Sequence, residues 1–335
     1  MQVISRTIQS IEVGTPATFG GLTLYPLIQL PGSGRRDKPD YLTLEKGISS
    51  RAVKITEVGR GGSVPELQLV NEGDYRVLIL DGEMLIGAKQ NRVLNITILA
   101  PGKSRISVPV SCVEAGRWHD VSREFSASME VMYAGGRARK MEQVNLNLEV
   151  MGAPMADQSS VWSHLAGKAS RMRAQSPTSD MKEIYERYQK SISDYEKEFS
   201  PVPGQVGAIF ALGDQLVGLE LFEHPEILSE YLPRLVRSNA LDALELPEKG
   251  PEPPAADATA EFLRDLDRAD FRTYPGNFGE GESYRIDGPR VSGAALVADD
   301  RVIHLSAFRK EDEVRSNGEG NRRNIINLLR WRRNR

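Results

Sequence analysis

Residues 81–95 read DGEMLIGAKQNRVLN, and the division of this stretch between turn, strand and site governs the reading of the whole chain. Its first half has an echo. Gly82–Gly87 (GEMLIG) matches Gly213–Gly218 (GDQLVG), and Asp299–His304 (DDRVIH) is a weaker third copy. Each follows an apolar run: VLIL, AIFAL and AALVA. The shared content is a two-residue turn between apolar strands. Asp-Gly supplies the positive φ angles such turns need, so Asp81-Gly82 is expected to close a hairpin. The second copy continues as Leu219-Glu220-Leu221-Phe222, with nothing like Lys89-Gln90-Asn91-Arg92. The polar run is therefore an addition to the turn grammar.

Strand side chains alternate between faces. From Arg92 the even positions are Arg92, Leu94, Ile96 and Ile98, which mark the core face; Gln90 extends it backwards, while Lys89 and Asn91 point away. The next strand places Ile106, Val108, Val110, Cys112 and Glu114 on one face. The short linker APGKS (100–104) predicts an antiparallel pair. Setting Leu99 against Arg105 puts Leu94 opposite Val110, Arg92 opposite Cys112 and Gln90 opposite Glu114. Arg117, Trp118 and His119 follow at once, so polar side chains gather where an apolar face ends.

Two readings of this cluster stand side by side. In one, an Arg92–Glu114 ion pair seals the end of a sandwich, with Gln90 bonded beside it. In the other, the cluster is a pocket for an anionic or nucleotide-type ligand, with Lys89 at its edge. Arg92 and Arg117 would offer planar forks to phosphate, Trp118 a stacking face, and Gln90 and Glu114 directional contacts. Glu114 is then the candidate acid/base; burial would raise its pKa and Arg92 would lower it. Cys112 is the chain's one cysteine. An adjacent arginine would favour its thiolate, making it a candidate nucleophile. Its companions Ile106, Val108 and Val110 instead mark it as a small core residue.

The other strand signals of the first 150 residues are LTLYPLIQL (22–30), AVKITEV (52–58), ELQLV (66–70) and YRVLIL (75–80). Short strands at this spacing predict an antiparallel, β-sandwich-like N-terminal half. The middle switches to helical period: a helix from Asp157 or Ser159 to about Arg173, and another from about Ser179 to Glu198 marked by Ile184, Tyr188, Ile192 and Tyr195. A strand pair at 205–222 precedes a helix that begins at Pro225. A Pro-rich connection (247–258), a short helix (259–268) and a strand meander (283–308) complete the body. The class is α+β. Residues 1–308 read as one unit with a β-rich part (1–153) and a helix-plus-hairpin part (154–308).

The chain has 335 residues, 40% hydrophobic and 27% charged, with net charge −3. That composition is ordinary for a globular protein and excludes nucleic-acid binding by charge alone. The segment 309–335 is different: nine Lys/Arg against four Asp/Glu, net +5, leaving −8 on residues 1–308. Ile325, Ile326, Leu328, Leu329 and Trp331 alternate there with arginines, so 318–335 is a candidate docking element for a protein partner or an anionic surface, or a solubilising end. A lone cysteine, no basic-plus-apolar leader and no apolar run near the roughly 18 residues of a membrane span point to a cytoplasmic protein. No metal or cofactor is expected: His119, His164, His224 and His304 form no close pair, and no CxxC or HExxH occurs. GRGGS (59–63) and GNFGEGES (276–283) read as loops.

The blocks LILDGEMLIGAKQNRVLN, VPVSCVEAGRW, DQSSVW and VGAIFALGDQLVGLELFEHPEIL with LVRSNALDAL resemble a bacterial family. It is the ADP-ribosylglycohydrolase- and rhodanese/phosphatase-superfamily-associated domain family. The resemblance spans about residues 20–245 and carries over to Gly82, Glu83, Gly87, Lys89, Gln90 and Arg92, to Cys112, Glu114, Gly116, Arg117 and Trp118, and to Gln158 and Trp162. It implies a role near ADP-ribose or nucleotide metabolism, or in biological conflict. After FSAS, where the family carries a Leu-Arg-type helix, this chain reads MEVMYAGGRARK, so no role is carried over to a helix there. The expectation is a protein binding a phosphorylated, ADP-ribose-like ligand. The alternative is a non-catalytic interaction or scaffold module.

Overall fold

The computed structural model describes residues 2–32, 37–59, 61–174, 176–247, 252–274 and 278–310. The tail expected to dock partners, 318–335, lies outside the described residues, as does part of the Pro-rich connection. Eight helices and eighteen strands among the described residues make an α+β protein.

The largest sheet has nine strands, all antiparallel. Two of the three predicted turns build its centre. Gln205–Leu212 pairs with Gln215–Phe222 across Gly213, and Val291–Ala298 pairs with Arg301–Arg309 across Asp299 and Asp300, both at positive φ. The two hairpins join edge to edge, Phe222 opposite His304. Leu22–Gln29, which the sequence places in the N-terminal half, pairs instead with Gln205–Leu212. Sheet membership therefore crosses the sequence halves.

The third turn behaves differently. Glu83 N–H does bond back to Leu80 O (3.1 Å), with Gly82 at φ +80°. The strands on either side do not pair, so this is not a hairpin. Arg76–Ile79 lies in a three-stranded sheet between Ile98–Ala100 and Tyr41–Thr43, the latter pair parallel. Glu83–Gly87 lies in a six-stranded antiparallel sheet ordered Phe125–Val131, Glu83–Gly87, Arg92–Leu94, Ser104–Cys112, Glu66–Asn71, Val53–Glu57. The run VLNITIL likewise splits. Arg92–Leu94 takes the predicted register, Leu94 opposite Val110 and Arg92 opposite Cys112, whereas Ile98–Ala100 leaves for the small sheet.

The reason lies in the acids. Asp81 and Glu83 are buried at 2% and 0% exposure and need partners, which helices supply. Asp81 pairs with Lys140 and, at 3.5 Å, with Arg137. Glu83 takes Arg234 at 2.9 Å and the Leu80 N–H at 2.8 Å. Glycine is required at 82 because a Cβ there would meet Arg137 Cδ at 2.7 Å. DGE is thus a joint: it ends one sheet, starts another and clamps two helices.

One of those helices is Ala134–Met151, in the segment after FSAS where the family carries a helix and to which no role was carried over. Its inward stripe is Arg137, Lys140, Met141, Val144 and Leu148. The spacing is helical, but two of its members are cations and it opens on Gly-Gly, which hides the apolar period. The other, Pro225–Ala243, starts as predicted, with Ile227, Leu228, Tyr231, Leu232 and Leu235 in the core. Gln158–Arg171 is capped by Asp157. The helix predicted over 179–198 divides at Tyr188 into Met181–Arg187 and Gln189–Glu198. These middle helices cover the odd face of the Arg92 strand. Both faces are therefore core: Leu94, Ile96, Val108 and Val110 on one side, Val93 and Val113 with Met181 and Ile184 on the other. No described helix is long and apolar enough to cross a membrane.

Candidate functional site

The end of the six-stranded sheet brings together Gln90, Asn91, Arg92, Cys112, Glu114, Arg117 and Trp118, and it divides into a closed half and an open half.

The closed half centres on Glu114. Its carboxylate accepts from Arg117 Nε (2.8 Å), Arg117 Nη2 (2.6 Å) and the Asn91 amide N–H (3.1 Å). Burial works to raise the Glu114 pKa, but the Arg117 and Asn91 hydrogen bonds and the Arg117 charge outweigh it and hold the group below the ordinary carboxylate range. Arg117 also donates to the carbonyls of Ala88 (2.6 Å) and His119 (3.3 Å). Asn91, expected to point away, is buried: its Nδ2 donates to Asp180 (2.8 Å) and its Oδ1 accepts from Gly87 N–H (3.1 Å). Burial raises Asp180 to about 6, the bonds from Lys182 N–H and Asn91 offsetting only part of the effect. Gln158 clamps Cys112 like an extra strand residue, with bonds of 2.8 Å to its N–H and from its own amide to the carbonyl. Gly116 is glycine because a Cβ would come within 2.8 Å of Thr178 Cα.

The open half centres on Arg92, whose partner is not the expected Glu114. Its Nη1 donates to Gln90 Oε1 and contacts Cys112 Sγ, both at 2.8 Å, and its Nη2 faces Glu57 Oε1 at 3.8 Å. The guanidinium lies 5.5 Å from the Trp118 ring centroid, a cation–π contact. Arg92 is 0% exposed, yet its Nε and Nη2 have no hydrogen-bond partner, and neither does Glu57 Oε2. Trp118 is 46% exposed. Glu57 and Lys89 line a cavity of about 360 Å³ together with Asp120, Ser122 and Arg123. Lys89 Nζ pairs with Asp120 at 3.1 Å. Cys112 is fully buried, and its thiol is pushed up to about 11 by burial, which Arg92 offsets only in part. At neutral pH that is a protonated core thiol.

Glu57, Arg123 and Asp180 belong to this site and went unpredicted. Glu57 ends a strand that reaches Arg92 only through the sheet order, and no local pattern announces it. Asp180 lies beside the expected helix start at about Ser179, and it caps Met181–Arg187 by accepting from Lys182 N–H at 3.1 Å.

A second buried polar layer lies between the large sheet and the helix Ala134–Met151. Arg137 pairs with Glu220 (2.6 Å), and His304 Nε2 meets the other oxygen of Glu220 (2.8 Å). His304 Nδ1 meets the Thr97 hydroxyl (3.1 Å), which accepts the Asp81 N–H (3.1 Å). Among the described residues no group of three or more His, Cys, Asp or Glu is arranged to hold a metal ion.

The chain that carries the DGE joint and the KQNR and CVEAGRW segments matches a known domain family in sequence. The profile of the ARG and Rhodanese-Phosphatase-superfamily-associated Protein domain matches residues 10–308, and the chain belongs to that family. The match takes in the helix Ala134–Met151, the terminal meander and both polar layers. No curated protein and no solved structure matches the chain.

Proposed function

We propose that the corner formed by Lys89, Arg92 and Trp118 binds a phosphorylated, nucleotide-type ligand of ADP-ribose character. The observation that carries this reading is Arg92, a fully buried guanidinium whose Nε and Nη2 make no hydrogen bond. An unmet buried donor costs roughly 1–3 kcal/mol, and an anion that displaces Glu57 from its distant contact would recover it. Lys89 and Arg123 line the adjoining cavity and suit a pyrophosphate. Trp118, held from one side by Arg92, offers a base a stacking surface worth about 1–3 kcal/mol. The family's association with ADP-ribosylglycohydrolases supplies the chemical context. Glu114, bound by Arg117, supports positioning of the loop rather than proton transfer. The closed half is also what a non-catalytic interaction module would show, and this is the second reading.

Thermal unfolding with ADP-ribose, ADP and NAD separates the two. A ligand at about 100-fold its Kd stabilises by roughly 2.7 kcal/mol. The shift should vanish in Arg123→Gln and Trp118→Ala, both at exposed positions that leave the core intact. Absence of any shift in the wild type, or an undiminished shift in both variants, overturns the ligand reading in favour of the interaction module.

A further inference from the structure

A second cavity, of about 330 Å³, lies where Ile98–Ala100 passes the strand Glu282–Asp287. The Glu280 N–H bonds to Leu99 O at 2.8 Å and ties the two sheets together beside it. Its walls include Ile98, Leu148, Phe278 and Leu296, with Thr97 and Arg285 among the polar groups. The volume is within the range of small-molecule sites.

Arg285 is the unusual member. It is 5% exposed, its Nε has no hydrogen-bond partner, and Nη2 donates to Ser283 Oγ at 2.9 Å. It forms no ion pair among the described residues. Burial lowers its pKa to about 10, the pull of Asp81 and Tyr274 offsetting only part of that effect. In the ladder of the large sheet Arg285 stands opposite Ala294, Ala294 opposite Ser306, and Ser306 opposite Glu220. Arg285 therefore shares a row with the buried charge layer. That layer has three basic side chains, Arg137, Lys140 and Arg285, against two carboxylates, Asp81 and Glu220, and burial lowers the Lys140 pKa. Both carboxylates are engaged by Arg137 and Lys140, so the uncompensated positive charge is Arg285, at the cavity. Burying a cation without a partner is costly, and an anion is the natural complement.

The walls narrow the class. Apolar side chains flank the arginine and suit a hydrocarbon or aromatic body. Glu280 and Glu282, both exposed, also line the cavity and repel a multiply charged ligand. We propose that this cavity is a second ligand site, separate from the Arg92 corner, which takes a small carboxylate monoanion with an apolar body and seats the carboxylate on Arg285.

The test is calorimetric titration of the full chain with phenylacetate. Benzyl alcohol tests the need for charge, and phenyl phosphate tests the preference for a monoanion. Phenylacetate should bind the wild type at millimolar concentration or below, with benzyl alcohol and phenyl phosphate at least tenfold weaker. Arg285→Gln should weaken phenylacetate at least tenfold. Ser283→Trp, at a partly exposed wall position, should block it by filling the cavity, and this variant decides alone if Arg285→Gln fails to fold by circular dichroism. Trp118→Ala should leave phenylacetate binding unchanged, which keeps this site distinct from the Arg92 corner. No phenylacetate binding to the wild type, or equal binding to a folded Arg285→Gln or to Ser283→Trp, overturns the proposal. Benzyl alcohol binding as well as phenylacetate does so too.

Discussion

DGE and KQNR lie six residues apart, and both bury charge, yet they bury it differently. Asp81 and Glu83 each receive a cation from a distant helix: Lys140 from Ala134–Met151, Arg234 from Pro225–Ala243. Arg92 receives no such partner, only Glu57 at 3.8 Å and two neutral contacts. Charges satisfied by remote elements act as clamps. A buried charge left short of partners, beside a cavity, is what a binding corner looks like. The comparison can be broken by mutation.

The largest effects belong to the clamps. Glu83→Ala leaves Arg234 with Glu45, an exposed partner, and Lys140→Met leaves Asp81 with only the longer Arg137 contact; breaking a buried pair costs about 3–5 kcal/mol. Urea unfolding should show a loss of that size for each. Arg92→Met should cost less, about 1–2 kcal/mol, because it removes two neutral contacts of Nη1 and a 3.8 Å contact to Glu57, which borders a cavity. Equal losses for Lys140→Met and Arg92→Met would erase the distinction.

Asp180 gives a pH signature. Its pKa rises from 3.8 to about 6 on folding, so between those values the folded state holds a proton that the unfolded state has released. Stability contributed by this group therefore falls as pH rises through that window, by up to about 3 kcal/mol. Asp180→Asn keeps one oxygen, enough for the cap on Lys182 N–H but not also for Asn91, and removes the titrating group, so it should flatten the pH dependence of unfolding between about pH 4 and 6 relative to the wild type. Parallel profiles would refute the burial argument.

The smallest structural effect belongs to Trp118→Ala. It removes one half-exposed ring and a cation–π contact, about 0.5–2 kcal/mol. Loss of ligand stabilisation with so little loss of fold would sharpen the division between corner and clamp. Cys112 should be alkylated by iodoacetamide only at the rate of unfolding, since the group is buried and protonated.

Much of this was legible in the sequence, for physical reasons. Alternation put Arg92 and Cys112 on one face, and the short linker APGKS (100–104) set them opposite each other. Pro225 and Asp157 announced their helices through capping chemistry. The rest depended on long-range choices. VLNITIL keeps its alternation through the point where the chain changes sheets, so nothing local marks the split. The Asp81-Gly82 turn looks the same whether or not its strands pair. Arg137 and Lys140 occupy core positions of their helix and blur its apolar stripe; they are recognisable only once Asp81 and Glu220 are known to face them. Arg92 chose Glu57 over Glu114 because Arg117, three residues after Glu114, claims that carboxylate first.

The most direct test of the binding corner is the indole N–H region of a ¹H–¹⁵N spectrum during titration with ADP-ribose. The chain has three tryptophans, Trp118, Trp162 and Trp331, and Trp118→Phe identifies the relevant signal. The Trp118 indole signal should move saturably, while that of Trp162, which is not part of the corner, stays in place. If Trp118 does not move at millimolar ADP-ribose, or Trp162 and Trp118 move together, the corner is not a nucleotide site.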